Sequence, residues 1–190
     1  MRVRLAGVLL CAAAAATPAR ADPVRYRVDP ALTTVEFSVV HLGFLRARGR
    51  FADVAGRITL DAAAGTGAVE LDVAAATVAT GWALRDAFLR GELMFDAGRH
   101  PHVHFRSTRV AFAEGRLARV DGDLTLRGVT RAVSFAVTAI ACGTGRHAGR
   151  DGCDAEVAGT IRRSDFALDF AWPLIDDEVE LRFAIGATRE

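Results

Sequence analysis

Apolar residues recur at every second position through most of this chain, and that period limits what it can fold into. Val35, Phe37 and Val39 alternate with Thr34, Glu36 and Ser38. Val69, Leu71 and Val73 alternate with Glu70 and Asp72, and Val133, Phe135 and Val137 with Ser134 and Thr138. Val179, Leu181, Phe183 and Ile185 end the chain in the same way. Successive side chains of a strand point to opposite faces, so each segment has one apolar face and one wet face. Further strands are expected over Phe51–Asp61, Val103–Ala113, Leu117–Arg127 and Ala155–Arg163. Turn signals at Ala64-Gly65-Thr66-Gly67, Glu114-Gly115 and Arg127-Gly128 separate them. Strands punctuated like this, without a helix after each, point to a sandwich or a barrel. One segment breaks the period. Trp82–Leu93 (WALRDAFLRGEL) places Leu84 and Phe88 at i, i+4 among good helix formers. It is expected to form a short helix that packs on, or caps, the β framework.

The first 21 residues read as a cleaved export signal. Arg2 and Arg4 supply a positive start, Leu5 to Ala16 an apolar run, and Ala19-Arg20-Ala21 small residues for the cleavage pocket. An uncleaved anchor is the alternative, but the run is shorter than the roughly 20 residues that span a bilayer. Cys11 follows Leu10 inside the run, which favours a discarded signal residue over a lipid attachment site. The working protein is then residues 22–190, a length suited to one domain. Losing Arg2, Arg4 and Arg20 leaves 21 basic residues against 23 acidic ones, a net charge of about −2. That balance argues against nucleic acid as a partner. The expected location is the periplasm.

Cys142 and Cys153 survive processing and flank a Gly-rich polar stretch. In an oxidising compartment a disulfide is the default. A metal site with His147 or a redox dithiol are the competing readings, and neither has CxxC spacing. His102 and His104 fall on one face of an expected strand. They read either as a two-imidazole metal pair or as two solvent-facing residues of a barrel exterior. His41, at a strand end, reads as structural. Asp86 beside Arg85 reads as a helix-surface pair, and Asp176-Asp177-Glu178 as a solvated turn before the last strand. There is no nucleophile elbow, HExxH, Walker loop or dinucleotide fingerprint, so an enzyme is not expected.

Several phrases, taken in order, resemble one family. They are Tyr26-Arg-Val-Asp29, Val35-Glu-Phe37, His41-Leu-Gly43 and Gly49-Arg-Phe51, then Thr80-Gly81, Arg85-Asp86 with Leu89, and Phe95-Asp96. Pro101-His-Val-His-Phe105 with Ser107, Gly122-Asp-Leu-Thr-Leu-Arg-Gly-Val-Thr130 and Arg163-Ser-Asp-Phe166 complete the set. Order and spacing resemble the YceI-like family of bacterial secreted proteins over almost all of residues 22–190. The resemblance implies an extended eight-stranded antiparallel barrel, lipocalin-like in shape, with a helix outside it or at one end. It implies an interior that holds a polyisoprenoid or similar amphiphile, a periplasmic location, and a link in some members to cytochrome b561-type membrane proteins. The cysteine pair also resembles one found in a proteobacterial branch. Two positions depart from the pattern. Phe88 stands where the family often has His, which makes the helix more apolar. Ala167 stands where Gly often follows, at a position that favours φ > 0.

An eight-stranded barrel holds either its own side chains or one small ligand. The expected lumen wall is Phe37, Val39, Leu71, Val73, Phe88, Phe105, Leu126, Phe135, Val137 and Phe183. The same alternation also describes a filled core, and only the resemblance favours a cavity. The leading reading is therefore a non-catalytic carrier of an isoprenoid-type ligand, either a polyisoprenoid or an isoprenoid quinone, without cofactor or metal. The alternatives are a filled-core interaction protein docking on a cytochrome b561-type partner, and a lipid-acting enzyme.

Overall fold

The computed structural model describes residues 22–144 and 149–190. Residues 1–21, read above as an export signal and containing Cys11, and His147 lie outside them. Ten strands follow in chain order: β1 (Val24–Val28), β2 (Thr34–His41), β3 (Leu45–Phe51), β4 (Val54–Asp61), β5 (Thr66–Ala74), β6 (His102–Ala113), β7 (Arg116–Leu126), β8 (Val129–Gly143), β9 (Gly152–Arg162) and β10 (Ile175–Arg189). One α-helix, α1 (Ala83–Arg90), lies between β5 and β6.

Every pairing is antiparallel, in the order β1-β4-β5-β6-β7-β8-β9-β10. Pairing of β1 with the end of β10 closes eight strands into a barrel. β2 and β3 form a hairpin that continues the wall along the first half of β10. The expected strand from Phe51 to Asp61 is in fact two. Phe51 ends β3 against Val35, and Val54 opens β4 against Val73. Alternation is blind to such a break, because both halves keep the same period. Helix α1 is also shorter than the expected Trp82–Leu93. It stops at Arg90, because Gly91 is extended and leads into successive turns as far as the buried Asp96.

Glu114-Gly115 and Arg127-Gly128 have positive φ at both residues, as the mirror-image turns of tight hairpins require. Ala167 is left-handed, at φ 56° and ψ 34°, in the position where the sequence pattern favours Gly.

The core is the barrel interior. Leu71, Phe105, Val120, Leu124, Leu126, Phe135 and Ile185 are all buried within it. Phe135 meets Phe105 and Phe183 edge-on, with centroids 5.5 and 5.0 Å away. Such contacts contribute about 1 kcal/mol each beyond area burial. These rings lie over glycines of the wall. A Cβ at Gly122 would stand 2.6 Å from Phe105 Cζ, and one at Gly159 2.5 Å from Phe135 Cδ1. The backbone gaps let the phenylalanines lie against the sheet, which leaves the axis of the barrel less filled than their number suggests.

Candidate ligand-binding cavity

A cavity of about 260 Å³ runs inside the barrel. Phe37 and Val39 of β2, Leu71 and Val73 of β5, Phe105 of β6, Leu126 of β7, Phe135 and Val137 of β8, and Phe183 of β10 all line it, and so does Phe88 of α1. The set therefore shares one space. Phe51, Phe95, Leu124, Phe170 and Leu181 join it. Transfer of apolar surface from water into such a space is worth roughly 25 cal/mol per Å².

The polar lining is confined to one end. It consists of His41 at the end of β2, Arg48 on β3, Thr80, Arg85 on α1, and Arg163. No Ser, Cys, Tyr, Asp or Glu among the described residues lines the cavity. Burial, with Arg85 and Arg163 nearby, holds the His41 imidazole below its ordinary pKa, partly offset by Asp176. His41 is thus neutral at pH 7 and offers one donor and one acceptor.

Thr80 and α1 are tied together locally. Asp86 Oδ1 accepts from the Thr80 amide at 2.8 Å and from its hydroxyl. Arg85 donates to Thr80 Oγ1 at 2.8 Å and to its carbonyl at 3.1 Å. The expected Arg85–Asp86 surface pair is instead a clamp in which both side chains grip Thr80. The Thr80 hydroxyl bond holds the Asp86 carboxyl below its usual range.

Arg163 organises the neighbouring loop. Its side chain is 5% exposed and donates at 2.8 Å to the carbonyls of Leu168, Phe170, Ile175 and Asp176. Burial pushes its pKa down, against the pull of Asp177, Asp169 and Asp176. Ser164 donates its amide and hydroxyl to Asp177 at 2.8 and 2.7 Å. The Arg-Ser-Asp-Phe phrase is therefore the lock of the 163–176 loop. Asp176, Asp177 and Glu178 belong to β10 itself, where the register slips between Ile175 and Val179, and not to a turn before it.

The YceI-like domain model matches residues 26–187. The chain belongs to the YceI-like family. It is 31% identical over 161 residues to a UPF0312 protein of Pseudomonas paraeruginosa, covering 82% of this chain and 81% of that one. Its fold is similar to that of BcnA from Burkholderia cenocepacia, with TM-score 0.71 and 25% identity over 85% of this chain and 99% of that one. It is also similar, with TM-score 0.63 and 16% identity over 87% and 98%, to a polyisoprenoid binding domain from Saccharophagus degradans implicated in plant cell wall breakdown. The latter likeness concerns the fold alone. This YceI-like barrel encloses an apolar cavity suited to a hydrophobic ligand. Its cavity presents apolar surface and, at one end, the His41 imidazole.

The other candidate chemistry of the YceI-like chain lies outside the cavity. His102 and His104 are on the outer face of β6, with Nδ1 atoms 2.5 and 3.2 Å from the Asp72 carboxylate on β5. Among the described residues, no group of three or more His, Cys, Asp or Glu is placed to hold a metal ion. Cys142 and Cys153 face each other across β8 and β9 and form a disulfide. The sequence reading missed the polar collar, because its members come from a strand end, a hairpin, the residues before α1, the helix and the 163–176 loop. His41 and Arg85, which it placed in structural roles, also line the cavity. Their presence in the family phrases was the available signal.

Proposed function

We propose that residues 22–190, after removal of an export signal at 1–21, form a periplasmic carrier for an isoprenoid-type lipid. The lipid is a polyisoprenoid or an isoprenoid quinone, and it is bound and not transformed. The observation that carries this reading is the apolar cavity with all its polar lining at one end. That is the complement of an amphiphile with one long apolar tail and one polar head. The phenylalanine and aliphatic wall, from Phe37 to Phe183, would contact the tail. His41, Arg48, Thr80 and Arg85 would face the head. The likeness to a polyisoprenoid binding domain supports an isoprenoid over other hydrophobic ligands. The filled-core alternative, a protein that only docks on a cytochrome b561-type partner, requires a solid interior, and the space of about 260 Å³ disfavours it.

The test is organic extraction of the protein purified from its native host, followed by mass spectrometry. Stoichiometric isoprenoid is the expected result. A reproducibly empty protein that also refuses added polyprenol would overturn the reading.

A further inference from the structure

Ten large apolar side chains are exposed among the described residues, and all belong to three segments at one end of the barrel. These are the β2–β3 hairpin tip, the stretch from Trp82 to Leu93, and the loop before β10. The hairpin and the loop touch, since the Leu42 amide donates to the Leu174 carbonyl at 2.7 Å. Helix and loop touch through Phe88 and Phe170, whose ring centroids are 4.9 Å apart. Those two residues line the cavity and are also 39% and 40% exposed, so the apolar interior reaches the surface at this rim. Soluble proteins rarely leave such a contiguous patch open without a use for it.

The composition of the rim names its occupant. The chain has two tryptophans, Trp82 and Trp172, and both are on the rim, 58% and 64% exposed. Phe44 and Leu84 stand out further still, at 75% and 73%. Indoles beside exposed aliphatic groups suit the boundary between lipid head groups and acyl chains. Just inside the rim, Arg48 and His41 line the cavity with no carboxylate beside them in its lining, which suits a lipid phosphate, while Arg85 and Arg163 are engaged by Thr80 and by loop carbonyls. We propose that this end of the barrel docks on a phospholipid bilayer, with the rim seated among the outer acyl segments and the cavity opening toward them. The purpose of such docking, loading and unloading a lipid, rests on the carrier reading. The exposed charges near the rim are of both signs, Arg46 and Arg90 with Asp169 and Glu178, so attachment relies on apolar insertion and depends weakly on salt.

The tryptophans make the test direct. The protein is mixed with phosphatidylcholine vesicles, with and without phosphatidylglycerol, then floated on a density gradient while its emission is recorded. The expected result is co-flotation with both compositions, a shift of emission to shorter wavelength, and quenching by lipids brominated in the acyl chain. Replacing Phe44→Glu and Leu84→Glu together, neither of which lines the cavity, should lower partitioning on the order of tenfold or more. The same variant should keep its circular dichroism and its uptake of detergent-solubilised polyprenol. Absence of flotation by the unaltered protein overturns the proposal, as does equal flotation of the variant. A dimer with shielded tryptophans before vesicles are added also overturns it, because a second copy would then cover the rim. Docking without polyprenol uptake leaves this proposal standing and overturns the carrier reading; uptake without docking does the reverse.

Discussion

Where β5, β7 and β9 begin, the chain reverses through short segments of small or polar residues. These are residues 62–65, Glu114-Gly115 and the stretch bridged by Cys142 and Cys153. Asp61 is 5% exposed and holds the first of them by accepting from the Ala64 amide at 2.8 Å. At the opposite end, β5 leads into the α1 region and β9 into the 163–174 loop, and both carry large apolar side chains outward. One end is closed by covalent and turn geometry. The other is held by hydrogen bonds to backbone, chiefly from Arg163, and leaves the interior reachable. The difference teaches that access to the interior is concentrated at the end with long, apolar connections, and that this end depends on Arg163 to hold its shape.

The sharpest way to break this comparison is Arg163→Met. It leaves four carbonyls without their donor, each costing about 1–3 kcal/mol unless water reaches it. Because the mouth lets water in, a net loss of about 3–4 kcal/mol is expected, read by urea unfolding. Hydrogen exchange should quicken across 164–175 more than in β7 or β8. A uniform change would mean that the loop is not an independent part of the mouth.

The paired substitution Cys142→Ser with Cys153→Ser tests the closed end. Releasing a loop of this length should cost about 2–3 kcal/mol. The pair is far from the polar collar, so polyprenol affinity of the folded variant should remain within about twofold of the original. A larger drop would show that the two ends are coupled.

Gly159→Ala asks whether the wall glycines keep the lumen open. The new methyl would press on the Phe135 ring, at an expected cost of about 1–3 kcal/mol. The ring is the nearest group and is expected to give way toward the axis, so the folded variant should take up less polyprenol, as measured by titration. Unchanged capacity would detach the glycines from the cavity.

Much of this was legible in the sequence, and the exceptions have physical reasons. Period-two alternation reports which face a residue occupies, so the inward set from Phe37 to Phe183 could be named without coordinates. It does not report whether inward side chains meet. That depends on Gly122 and Gly159, which look like any strand glycine until a ring is seen lying over them. Nor does it report breaks such as Phe51 to Val54, since the faces stay in phase across the gap. The polar collar was the least legible part. His41, Thr80, Arg85 and Arg163 are far apart in sequence, and what unites them is the topology, which brings β2, the α1 region and the end of β9 to one rim. The left-handed backbone at Ala167 was legible only through the resemblance to a family that often has Gly there.

The smallest expected effect is that of pH, and it also separates the two ends. His41 has a depressed pKa in the folded chain, first because it is partly buried and then because Arg85 and Arg163 repel its charged form. The unfolded chain therefore takes up that proton first as pH falls through about 6.5, the ordinary value for the side chain. In that window the unfolded state binds more protons than the native state, so stability falls with falling pH. It stops falling on this account once the pH is below the depressed native value. The carboxyls of Asp86, Asp121 and Glu180, which are also depressed, chiefly by side-chain hydrogen bonds, act in the same direction, but only below about pH 4. His41→Gln should accordingly flatten the decline in melting temperature between pH 7.5 and about 5.5 and leave the steeper acid limb unchanged. Hydrogen exchange should locate the lost protection at the mouth, around β2 and the 163–176 loop. An unchanged slope in the variant would show that His41 does not set the acid sensitivity of the open end.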